Sequence, residues 1–444
     1  MTRTPGTVVL GPLALTVSMV AATVLAATLL GAQARALDWH TPWAEPNGRV
    51  FTADNSDEYA WRLFMALNWP ADLGTRAADS GASFGADRPV VWESWTNAGA
   101  IFLDDGSDPG PWAGRREGAA VATESRFESR SLKELPNAKH IVGGAMVPLT
   151  DPLANAARLT EIRMNRASYE YIRSAELYNL DGQLRAYAAG SRIEFPLGAR
   201  DVKAKWRPIS DAERSRYHTV QVAFADGTTH LFGLTALHIA SKDQAHWFWA
   251  TFEHVDNPLL PDSEGWQLPS RDRFSCRGNS ADCNRAPRGI GLEGTVWQYY
   301  RLRGTLTSYV DSVGRPQRLA NSELETGMQT TASCMTCHAR ASIGVVAGAP
   351  ARLPIFDLSR SESAQGALTR RGYVGLPKPE WFGDLHDVGH DSAFRPVDFV
   401  WSLAKAKPAK SAVAMTPRPG SADIGGAMRG SGGVDYAGWR WGLR

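Results

Sequence analysis

The sequence predicts an α+β protein whose large N-terminal part is β-rich. Two patterns predict it. From 191 to 255 apolar and polar residues alternate with the period of a strand. At 56–67 and 159–179 apolar residues instead recur at helical spacing. The chain divides into four segments: 1–36 as an export segment, 37–320 as an α+β domain, 321–408 as a small C-terminal domain, and 409–444 as a tail without fixed structure.

Of the 444 residues, 43% are hydrophobic and 21% charged, which excludes wholesale disorder. Lys and Arg number 48 and Asp and Glu 46; without Arg3 and Arg35 of the leader the charges balance. A neutral chain has no global field to hold a polyanion, so nucleic acid is excluded as a partner. Four cysteines are too few for a disulfide scaffold.

At the N-terminus, Val8 to Gly31 is a 24-residue stretch without charge, and Arg3 precedes it. Ala32, Ala34 and Ala36 then give two overlapping A-x-A sites. This is the grammar of a secretory signal cleaved after Ala36. The stretch is also long enough to span a bilayer, so an uncleaved anchor is the competing reading. Either way the remaining chain is expected in the periplasm, and the membrane is a partner only if the segment stays uncleaved.

Next, NSDEYAWRLFMALNWP predicts a helix capped by Ser56, with Asp57 and Glu58 in its first turn and Pro70 stopping the run. VVWESW (90–95) fits a short strand or the start of an element. LTEIRMNRASYEYIRSAELYN (159–179) predicts a helix ending before the Asp181-Gly182 turn signal. SRIEF (191–195), DVKAKWRPI (201–209), YHTVQVAF (217–224), HLFGLTALHIA (230–240), HWFWATFEHV (246–255) and GTVWQYYRLRGTLT (294–307) predict antiparallel strands, with a hairpin at Asp226-Gly227. Trp206, Trp247, Trp249 and Trp297 fall on these runs and are expected in the core.

Chemistry concentrates at 334–338, where Cys334-Met335-Thr336-Cys337-His338 reads C-x-x-C-H. Two thiols on one turn can add across the two vinyl groups of a haem, and the adjacent His then reaches the iron. Such attachment is made outside the cytoplasm, which agrees with the leader. No second C-x-x-C is present to complete a zinc ribbon, and a thioredoxin-like pair needs no following His. The expectation is one covalent haem c, held by Cys334 and Cys337, with His338 as the metal ligand.

The motif resembles that of the c-type cytochromes. The likeness implies that 321–408 is a small, mainly helical cytochrome c-like haem domain, in which SELETGMQT (322–330) and VDFVWSLAKAK (397–407) are two crossing helices with Phe399, Val400 and Leu403 turned inward. More loosely, ALNWP, VKAKWRPI, LHIASK and WATFEHVDN resemble segments of large periplasmic bacterial cytochrome c family proteins. The resemblance implies a monohaem protein passing single electrons to a redox partner protein. The chain departs from small cytochromes in its long upstream part and in its sixth ligand. Only Met415 and Met428 follow the motif, both in the tail, and His386 and His390 read more simply as surface residues. An open iron would favour the alternative function, a haem enzyme of peroxidase or oxygenase type. A third possibility is a haem sensor whose large domain binds a partner.

Cys276 and Cys283 enclose RGNSAD with no following His, so a disulfide is expected in an oxidising compartment. His230, His238, His246 and His254 recur every eight residues. Equal parity on strands would put neighbours on one face, as a metal or second haem site needs; buried, hydrogen-bonded core histidines are the simpler reading.

Overall fold

A computed structural model describes residues 1, 39–46, 54–112, 121–123, 139–142, 145–148, 159–224, 226–257, 271–277, 283–325, 332–346, 348–353, 374–378, 382 and 394–410. The leader readings, His386, His390, Met415, Met428 and the tail from 411 fall outside the described residues. Among the described residues no helix is long and apolar enough to cross a membrane.

The architecture is α+β and rests on an eight-stranded sheet. Its strands are β1 (Thr96–Asn97), β2 (Val121–Thr123), β3 (Leu159–Met164), β4 (Arg200–Pro208), β5 (Thr219–Ala223), β6 (Thr229–Ser241), β7 (Phe248–His254) and β8 (Tyr300–Leu306). The main order is β8-β7-β6-β4-β3-β1, with β5 paired to the first half of β6 and β2 paired to β5. All pairings are antiparallel except β2 with β5. Strand alternation sorts side chains onto two faces. Val202, Ala204, Trp206, Leu237, Ile239, Phe248, Ala250 and Phe252 form one core with helix α1 (Ser56–Leu67). Phe64 packs 4.4 Å from Phe252, and Trp61 lies 5.0 Å from it, edge-on.

Helix α1 begins at Ser56 itself, with Asn55 in the cap position and no side-chain cap bond. The Ser56 hydroxyl is used elsewhere: it lies 2.9 Å from the Thr305 hydroxyl on β8, which donates to the Asp57 carboxylate at 2.9 Å. The helix is buried on every side from Tyr59 to Leu67, Arg62 included. Residues 41–44 cover its outer face and accept the Arg62 guanidinium through the carbonyls of Thr41, Pro42 and Ala44.

The helix expected over 159–179 is a strand followed by a helix. Leu159–Met164 pairs with β4, and α2 starts only at Arg166 and runs to Ser174. Asn165 separates the two, its side chain accepting the Ser168 amide at 3.1 Å. LTEIRM carries both periods, and pairing to β4 decides between them. Asp181-Gly182 is likewise no turn: it lies in the first turn of α3 (Leu180–Ala188), capped by Asn179. Only glycine fits at 182, because a Cβ there would lie 1.8 Å from the Glu176 carbonyl oxygen. The 90–95 segment is a 3-10 turn, Val91–Ser94, leading into β1. Residues 191–195 form no strand; the Phe195 amide instead donates to Asp398 at 2.7 Å.

The second face of the sheet is more polar. It carries Asp201, Lys203, Lys205, His238, Thr251, Glu253 and Arg301 by register. Glu253 is fully buried and accepts both Arg301 Nε (3.0 Å) and an Arg301 terminal nitrogen (2.6 Å), with Arg303 Nε at 3.3 Å. The Ser322 hydroxyl and amide close the cluster at 2.5 and 3.0 Å. A second core covers the rest of this face, joining Met164, Trp249 and Leu306 to Met335, Val400 and Leu403. At residues 409 and 410 the chain is tied down, by the Asp181 carboxylate and the Asp105 carbonyl.

Cys276 and Cys283 are joined, their Cα atoms 5.8 Å apart. Closing so short a loop contributes ~2 kcal/mol in the chain-entropy picture. Replacing both by Ala is expected to lower unfolding free energy by that amount, read from the urea midpoint under non-reducing conditions.

His254 has both ring nitrogens engaged: Nε2 lies 3.0 Å from the Arg216 carbonyl, and Nδ1 accepts the Asp256 amide at 3.1 Å. Burial lowers its pKa from 6.5 to about 4, against the opposing pull of the Arg216 carbonyl and Asp256. The folded chain therefore holds it neutral where the unfolded chain binds a proton. Stability is expected to fall as pH drops from 6.5 towards 4, by up to ~3 kcal/mol, because one proton is taken up on unfolding. Denaturant midpoints across this range test it, and His254→Gln should flatten that part of the profile.

Candidate functional site

Cys334–His338 forms a one-turn helix, α4. Ser333 caps it, its hydroxyl accepting the Thr336 amide at 3.5 Å. The Thr336 hydroxyl donates to the Gly375 carbonyl at 2.7 Å, and Met335 is sunk in the second core. With its middle anchored inward, the turn holds Cys334 and Cys337 buried at 8% and 6% exposure. Both are thiols, in contrast to the oxidised pair at 276 and 283. Cys334 Sγ approaches the Leu319 carbonyl at 3.4 Å, and the Trp401 indole donates to the Cys337 carbonyl at 3.2 Å.

His338 is fixed by a contact the sequence did not announce. Its Nδ1 lies 2.8 Å from the Phe399 carbonyl oxygen. A carbonyl only accepts, so Nδ1 carries the hydrogen, and in the neutral ring Nε2 holds the lone pair. Phe399 can offer that carbonyl because Asp398 and Phe399 both adopt positive φ, 49° and 69°. This reverses the chain after the Phe394–Pro396 strand. Asp398 is locked in place by Lys242, at 2.7 and 2.8 Å to its two carboxylate oxygens. The continuous helix expected over 397–407 is therefore absent; a 3-10 turn spans only Trp401–Lys405. Val400 and Leu403 point inward as expected, whereas Phe399 is only partly buried. Of the companion helix, residues 326–331 lie outside the described residues, and 322–325 are a turn.

The imidazole of His338 faces a cleft between the 399–405 turn and the second face of the sheet. Its cavity volume is about 80 Å³, within about 800 Å³ of empty space counted out through the open mouth. Trp247 and Trp249 form an apolar wall, and the Trp249 ring centre lies 4.5 Å from that of His338. Asp201, Lys203, His238 and Lys405 supply the polar lining. Burial pushes the Asp201 carboxyl up to about 7, opposed by the bond from the Ser168 hydroxyl at 3.0 Å.

The four evenly spaced histidines do not share a face. A β-bulge shifts the β6–β4 register between Leu234 and Ala236, so the parity of β6 inverts there. His230 keeps the parity of the α1 side and lies exposed at the strand end, while His238 turns to the cleft. Thr235 satisfies the bulge: its hydroxyl donates to the Lys205 carbonyl at 3.1 Å, and its carbonyl accepts from Asn257 at 2.9 Å. His246 is exposed, 5.3 Å from Tyr309 between ring centres. Only His254 is the buried, fully bonded core histidine expected. Trp206 and Trp297 are core residues, and Trp247 and Trp249 are buried but border the cleft.

No family model, no curated protein and no solved structure matches the chain. The resemblance to the c-type cytochromes and to large periplasmic cytochrome c family proteins is therefore withdrawn. Among the described residues no group of three or more His, Cys, Asp or Glu is gathered to hold a metal ion, and Cys334 and Cys337 stand only as a buried pair at C-x-x-C spacing. The crossing helix the likeness implied at 397–407 is not formed, and the described part of 321–408 holds one helical turn, short strands and the 3-10 turn. What remains to be explained is the local chemistry of Cys334, Cys337 and His338.

Proposed function

We propose that the chain carries one haem, bound covalently through Cys334 and Cys337 with His338 as an iron ligand, and that it passes single electrons to a redox partner protein in the periplasm. The observation that carries this reading is the 2.8 Å contact of His338 Nδ1 with the Phe399 carbonyl. Ligating histidines donate their other nitrogen in this way, which sets the tautomer and raises the basicity of the free nitrogen.

The donor chemistry fits the group. Two thiols one helical turn apart are followed directly by an oriented imidazole, and two indoles line the adjoining cleft. The cavity of about 80 Å³ beside His338 is smaller than an enclosing cofactor pocket of ~300 Å³ or more, so the attachment turn and not the cavity would hold the group. When bound, the group supplies a one-electron iron couple. Cys334 and Cys337 would hold it to the turn and His338 would offer Nε2 to the metal, with the Phe399 carbonyl keeping the imidazole from rotating. Trp247 and Trp249 exclude water from one side. The Cys276–Cys283 disulfide accords with an oxidising compartment.

The wild-type chain, produced with a haem-attachment system, should keep haem colour through denaturing electrophoresis and show the mass of one added haem. A colourless band with two alkylatable thiols at 334 and 337 overturns the proposal and leaves a reducible dithiol.

A further inference from the structure

We infer that the cleft between the sheet and the 399–405 turn binds a short-chain monocarboxylate, its carboxylate drawn to Lys203 and Lys405 and its chain laid against Trp247 and Trp249. This site is separate from haem attachment, because its described lining contains neither Cys334 nor Cys337.

Strand pairing builds the floor of the cleft as two rows. Ile162, Lys203 and His238 stand opposite one another on β3, β4 and β6. Two residues along, Asp201, Ala240 and Trp249 do the same on β4, β6 and β7. Residues two apart on a strand share a face and lie ~7 Å apart. One row therefore brings an ammonium group to the floor and the other an indole, at a spacing that a short chain bridges. The 399–405 turn covers this floor with Val400 and adds the second ammonium, Lys405. Trp247 and Phe399 line the cleft with positive φ, 58° and 69°, a conformation bulky residues rarely adopt. Backbone strain of this kind gathers at ligand clamps.

Charge in the lining selects an anion. Asp201 offsets the two ammonium groups only in part, because burial pushes its carboxyl up to about 7. The Ser168 hydroxyl already occupies one of its oxygens at 3.0 Å. His238 is covered by the Glu325 carboxylate at 3.4 Å and is left to it. The remaining lining selects an apolar body: two indoles, Val400, Ala240 and Ile162 offer methylenes a dry surface but would leave an inorganic anion poorly solvated. Size selects a chain over a ring. The enclosed volume of about 80 Å³ is about half the ~150 Å³ apolar cavity that admits benzene. The open mouth supplies the way in.

The test is isothermal titration calorimetry of the full chain with butanoate, acetate, benzoate, butylammonium and inorganic phosphate. Butanoate is expected to bind one to one, roughly tenfold more tightly than acetate, because two more methylenes leave water. Benzoate, butylammonium and phosphate should each bind more weakly than butanoate. K203M and K405M should each weaken butanoate roughly tenfold, the loss of one charge-assisted bond. A240F, which fills the floor and keeps both lysines, should abolish binding, and it serves if a lysine variant fails to fold. Butylammonium, phosphate or benzoate binding as tightly as butanoate overturns the inference. So do lysine and Ala240 variants that bind like wild type, or no heat with millimolar butanoate. Chains made with and without haem attachment should bind alike; loss of binding on attachment would place the haem in the cleft and overturn this site. A chain without haem colour that still binds butanoate overturns the attachment reading and leaves this one standing.

Discussion

Replacing Cys334 and Cys337 together with Ala abolishes the haem colour of the denatured chain and leaves the protein folded. The fold is expected to survive because the turn does not depend on sulfur. Ser333 caps it, Thr336 ties it to the Gly375 carbonyl, and Met335 anchors it in the second core. Each single variant keeps one thiol and so retains part of the covalent colour. His338→Ala separates the two roles: both thioethers form, the colour persists through denaturation, and the native spectrum changes because the ring held by Phe399 is gone. Haem staining, intact mass and far-ultraviolet circular dichroism on the four variants decide the matter. Covalent haem surviving in the double variant would refute attachment at this turn.

Glu253→Gln lowers the unfolding free energy by ~3–5 kcal/mol. The carboxylate is fully buried and faces two buried guanidiniums, Arg301 and Arg303. Removing one charge from such a cluster leaves the others uncompensated in a medium that solvates them poorly. Arg301→Met should cost less, because Glu253 still has Arg303 at 3.3 Å and the Ser322 hydroxyl and amide. The comparison is made by urea unfolding, with midpoints shifted and slopes unchanged. Equal losses in the two variants would show that packing rather than charge dominates there.

Much of the sheet was legible. DVKAKWRPI and HLFGLTALHIA read as strands because one face of each meets the α1 core and the other a more polar layer, and both appear as β4 and β6 within a residue or two. The Cys276–Cys283 pairing was legible by elimination. LTEIRM was misread because its apolar positions satisfy either period, and register against β4 supplies the missing information. VDFVWSLAKAK was misread because the helix there was taken from the likeness to cytochromes, while the Lys242–Asp398 ion pair and two positive-φ residues break the segment at its start.

At the site, the residue types were decided locally and their geometry was not. Five consecutive residues bring two thiols and an imidazole to one turn, since helical spacing alone relates them. That much the amino-acid order determined, together with an α+β class, a net charge of only +2 and the short-loop disulfide. Tertiary structure decided which way His338 points, through a carbonyl 61 residues away, and which aromatic it meets, through strand β7. It also decided that His238 rather than His230 or His246 reaches the cleft. The physical reason is the bulge: one extra residue at Thr235 inverts the side-chain parity of the strand, and its bonds to Lys205 and Asn257 exist only once β4 and the turn after β7 have packed beside it.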